Sequence, residues 1–146
     1  MTVADDIAAF VASNLSSVVS AIDLSAARAV YIGQQKSNIR RGASVNIALS
    51  KDVDINRALG KVRHSFTLTI HKYGIDKQKE EAKSDLVITA AKEVEDAYDG
   101  AISTFNAGVS SAEISRVRCY RKQGVDNLVR GSSRDQEITL EVDWWE

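Results

Sequence analysis

Apolar residues recur along this chain at two different periods, and the switches between them divide it into segments. Val3, Ile7, Phe10, Val11, Leu15, Val18 and Ile22 are spaced by three and four, which puts them on one stripe of a 3.6-residue helix. Thr2 and Asp5 have the spacing of a capping box at its start. Asn14, Ser16 and Ser17 favour turns and Val18 and Val19 are indifferent helix formers, so the pattern leaves the end of this helix open. Residues 29–32 are short and apolar, residues 33–42 form a polar, basic loop, and residues 44–50 alternate with Val45, Ile47 and Leu49 on one side. Residues 51–60 read as a turn-rich linker. Residues 62–71 alternate again, with Phe66, Leu68 and Ile70 facing one way and Ser65, Thr67 and Thr69 the other.

The period then returns to 3.6. After Tyr73-Gly74, with Asp76 as N-cap, the spacing predicts one long helix reaching Phe105. Its apolar stripe is Ala82, Leu86, Ala90, Val94, Ala97, Tyr98, Ala101 and Phe105, against Lys79, Lys83, Lys92, Glu93 and Glu95. Residues 106–111, with Gly108, close it. A strand over 114–122, a polar loop over 123–135 and a strand over 136–145 complete the chain. In that last strand Ile138, Leu140, Val142 and Trp144 share one face, while Glu137, Thr139, Glu141, Asp143 and Trp145 share the other. The order α-β-β-β-α-β-β over residues 1–146 predicts a single α+β domain: one antiparallel sheet with both helices on a single face.

At 146 residues the length suits one domain, and a 44% hydrophobic share is that of an ordinary globular protein. The net charge of −1 excludes a global field drawing the chain to nucleic acid or an anionic membrane, so any basic patch is local. A single cysteine, Cys119, rules out an intrachain disulfide. Asp5 and Asp6 stand where a secretory signal would carry basic residues, and no apolar run approaches the length of a membrane span, so the expectation is cytosolic folding without membrane association.

No spacing of catalytic groups emerges. Asp52-Val53-Asp54-Ile55-Asn56 resembles the opening of a calcium loop, yet Arg57 and Arg63 occupy the positions that need a glycine and a bidentate glutamate. His64 and His71 are seven apart on one predicted strand, point to opposite faces and cannot share a metal. Cys119, Ser132 and Ser133 lack the local signature of an activated nucleophile, and Cys119 reads as a small core residue. Glu80 with Glu81, and Glu93 with Glu95, split across a helix surface instead of converging, and read as solubility. The glycines stand singly, without the Lys-Ser or Lys-Thr step of a phosphate loop. Asn14-Leu15-Ser16 matches a glycosylation acceptor that means nothing without a secretory signal. Neither cofactor nor metal is expected.

The basic residues carry more. Arg116, Arg118, Tyr120 and Lys122 fall on one side of their strand, a face that would suit RNA stacking. Against this, Glu137, Glu141 and Asp143 on the polar face of the neighbouring strand would neutralise those arginines and fix register, within one subunit or between subunits. Charge balance favours the pairing. Of the two terminal tryptophans, Trp144 faces the core and Trp145 faces out as an interface anchor.

A short N-terminal helix, the alternating 44–50 and 65–71 strands, the 77–105 helix with its alanine-rich inner stripe, and the closing 138–144 strand together resemble the tail terminator and related tail-completion proteins of tailed bacteriophages. The resemblance spans nearly the whole chain and rests on element order and size. It implies a virion structural protein without catalysis, assembled in the host cytoplasm. Such proteins form a hexameric ring at the head-proximal end of the tail tube, stop tail polymerisation and join the tail to the head connector around a channel for DNA. Partners would be further copies of the chain, the tube protein and the connector protein. Exposed sheet edges would pair around the closed ring. Arg40, Arg41, Arg130 and Arg134 would be docking residues in the loops, and Arg116, Arg118 and Trp145 inter-subunit residues. Glu137, Glu141 and Asp143 would face the channel and keep it slippery to phosphate.

Overall fold

Which face of the sheet the described helices cover follows from where the alternating strands put their apolar side chains. The computed structural model describes residues 2–24, 29–33, 42–56, 58, 60–73, 80–121, 128–130 and 133–145. In order these form α1 (Val3–Val18), β1 (Val30–Ile32), β2 (Gly42–Asn56), β3 (Lys61–Tyr73), α2 (Glu80–Tyr98), α3 (Ile102–Gly108), β4 (Glu113–Arg121), β5 (Leu128–Arg130) and β6 (Ser133–Trp145). The fold is α+β. The strands run in the order β1-β2-β3-β6-β4, with β5 also on β6.

Val45 and Ile47 on β2, Phe66, Leu68 and Ile70 on β3, Ile138, Leu140 and Val142 on β6, and Val117 and Cys119 on β4 are all buried in one core. Ile7, Val11 and Leu15 of α1, Val87, Ala90, Ala91, Val94 and Tyr98 of α2, and Phe105 of α3 complete it. The helices therefore share one face of the sheet, as the pattern predicts. Burying each of these larger side chains contributes about 1.5–3 kcal/mol against the entropy of ordering the chain.

Several details depart from the sequence reading, each for a physical reason. The sheet is not wholly antiparallel, because β1 runs parallel to β2, with Val30 opposite Val45 and Ile32 opposite Ile47. Alternation tells which residues share a face but not the direction of the partner strand. The supposed linker at 51–60 is largely strand. Strand β2 pairs with β3 out to Asn56 opposite Lys61, and the irregularities at 49–51 and 54–56 interrupt the alternation that would have revealed it. The Asp52–Asn56 stretch is therefore extended backbone, not a cation loop.

The single long helix is two. Gly100 adopts φ 73°, left-handed backbone that glycine accepts without strain, and its N–H donates to the Val117 carbonyl at 2.9 Å. Tyr98 and Phe105 then meet edge to face at 5.5 Å across the break. The stripe is also rotated from expectation. Val87 and Ala91 are buried, whereas Ala97, about 80° round the helix from the Val87–Tyr98 line, is exposed. The predicted 123–135 loop contains β5 and the first residues of β6.

At the N-terminus the Thr2–Asp5 capping box is formed, with Thr2 N–H donating to Asp5 Oδ2 at 3.1 Å and Asp5 N–H to Thr2 Oγ1 at 3.2 Å. Helix α1 ends at Val18, and Ile22 is buried from the segment that follows instead of from the helical stripe. That segment is held by Glu93 of α2, whose carboxylate accepts from Ser20 N–H (2.9 Å), Ser20 Oγ (2.7 Å) and Ala21 N–H (2.9 Å). Partial burial pushes the Glu93 carboxyl upward, but the Ser20 hydroxyl and the two amides outweigh it and leave it below its ordinary 4.5. At the other end of α3, Gly108 lies against the Phe10 ring, and a Cβ there would overlap the ring's Cε2 and Cδ2 atoms.

Two outcomes follow for stability. Gly108→Ala forces Phe10 off its edge-to-face contact with Phe105 (5.1 Å) and is expected to cost about 1–3 kcal/mol in urea denaturation. For Glu93, a depressed carboxyl stabilises the fold above the unfolded-state pKa and loses that contribution as pH falls through the lower folded value. The stability difference between wild type and Glu93→Gln should therefore be full at pH 7 and shrink steadily as pH falls below 4.5.

Candidate functional site: the open face of the sheet

The side chains that alternate away from the core on β3, β6 and β4 form a polar surface with no described helix over it. Three rows cross it in register: Arg116–Asp143–Arg63, Arg118–Glu141–Ser65 and Tyr120–Thr139–Thr67. Arg63 donates to Asp143 through both Nε (2.7 Å to Oδ1) and a terminal nitrogen (3.1 Å to Oδ2), a bidentate guanidinium–carboxylate pair. Its Nε is also 3.6 Å from Glu141 Oε2, and Arg118 Nη1 is 3.9 Å from the same oxygen. The Tyr120 hydroxyl donates to Glu141 Oε1 at 2.5 Å, while the Arg118 guanidinium lies 5.2 Å from the Tyr120 ring centre. The electrostatics match: the hydrogen bond to Asp143 raises the Arg63 pKa, and that to Glu141 raises the Tyr120 phenol.

The acids expected to face a channel therefore differ in what they offer. Asp143 has a side chain only 2% exposed and engaged by Arg63; Glu141 is shared among Tyr120, Arg63 and Arg118; Glu137, half-buried and in register with Thr69, lies beyond this cluster. The cross-strand neutralisation expected of Arg118 is present. Arg116 is opposite Asp143 but exposed, and forms no ion pair among the described residues. Trp145 is half-buried on the same face with Lys61 Nζ 5.2 Å from its ring centre, and Trp144 turns inward to stack on His64 at 5.6 Å. Arg130 is in β5 opposite Ser133, and Arg134 is in β6 opposite Lys72. Arg40, Arg41 and Lys122 lie outside the described residues.

Arg63 is the residue the sequence reading missed. It shares the period-two row of Ser65, Thr67 and Thr69, but its link to Asp143, 80 positions away, needs the β3–β6 register. Glu93 and Glu95, read as solubility, also turn out to be ties: Glu93 to the segment after α1, and Glu95 to Arg121 at 2.9 Å.

The sheet edge at β4 is occupied. Gly100 N–H reaches the Val117 carbonyl, Cys119 N–H donates to Asp99 Oδ1 at 3.1 Å, and the Asn106 amide both accepts from Ile114 N–H (2.8 Å) and donates to its carbonyl (3.1 Å). Strand addition there, the mode of ring closure expected from the resemblance, would have to displace all four contacts.

His64 is buried and His71 is half-buried on the opposite face, so the two do not converge. Among the described residues no group of three His, Cys, Asp or Glu side chains comes together as a metal site. Cys119 is in the core, and burial, then Glu95 and Asp99, push its thiol up to about 12, so it is a packing residue. No helix of the described residues is long and apolar enough to cross a membrane. No protein-family model matches the chain, and no curated protein matches it in sequence.

Because Asp143 is the most buried member of the ladder, Asp143→Ala should lower stability by about 1–3 kcal/mol, tempered by the partly solvated Arg63 it abandons. Urea denaturation of the variant checks this.

Proposed function

We propose that the chain is a structural subunit of a phage tail terminator or tail-completion ring. Copies assemble, six to a ring, at the head-proximal end of the tail tube, stop its growth and join it to the head connector around a channel for DNA. The observation that carries this reading is the open sheet face: a broad, rigid surface whose polar groups are tied to one another instead of converging on a cavity. Such a surface suits packing against another macromolecule better than turning over a small ligand. Pairing Glu141 and Asp143 with arginines also leaves the face close to neutral, compatible with a bore past which DNA moves without being held.

A nucleic-acid-binding module built on Arg116, Arg118 and Tyr120 is the competing reading. Arg118 over the Tyr120 ring and the hydroxyl fixed to Glu141 leave that aromatic poorly placed to stack a base. Light scattering with negative-stain imaging tests the proposal. Closed rings, formed alone or on tube ends, are expected; a protein that stays monomeric at all concentrations and with tubes would overturn it. Salt-sensitive binding to DNA or RNA would favour the competitor.

A further inference from the structure

We draw no further inference here: the strongest candidate, the apolar border of the sheet at its outer strand β1, where Ile32 and Leu49 of the adjoining β2 are 53% and 49% exposed, carries nothing because no feature of the described residues shows what covers it.

Discussion

Everything in this molecule depends on a sheet that is dry on one side only. Successive strand residues point to opposite faces, so placing Val45, Ile47, Phe66, Leu68, Ile70, Ile138, Leu140, Val142, Val117 and Cys119 in one core commits the residues between them to the other surface. A slip of β6 by one residue against β3 would turn Glu141 and Asp143 into the helix layer and leave Arg63 behind on the open face. The desolvation cost of carboxylates buried without their partner then helps the apolar core to guard the register.

The same geometry explains why the open face is rigid. A bidentate Arg63–Asp143 pair, Glu141 bonded by the Tyr120 hydroxyl with Arg63 and Arg118 at ion-pair distance, and Lys61 over Trp145 link long side chains across three strands. Exposed ion pairs add little stability individually. Their larger effect here is to order in advance groups that would otherwise lose entropy on contact with a partner.

Most of the architecture was legible in the sequence wherever periodicity was local. Helix α1 with its Thr2–Asp5 box, the faces of β3 and β6, the opposed histidines and the inward Trp144 all follow from spacing alone. What escaped were features set by distant partners. Asp52, Asp54 and Asn56 look like turn residues until β3 is placed beside them. The parallel course of β1 leaves no mark on its alternation. Gly100 interrupts a stripe that continues past it in phase, so the break between α2 and α3 is invisible without the Val117 carbonyl that receives its N–H. The candidate surface was half visible: Arg116, Arg118, Tyr120, Glu141 and Asp143 were placed on matching faces, but Arg63 needed the third strand.

Asn106 has a wider consequence. By meeting both backbone groups of Ile114 it acts as a one-residue substitute for a missing strand, so the border of the sheet there is already terminated. A border in that state does not recruit further chains, and fibrous aggregation through β4 requires the short helix that carries Asn106 to come away first. Local opening of those seven residues is therefore the step that would expose the β4 border.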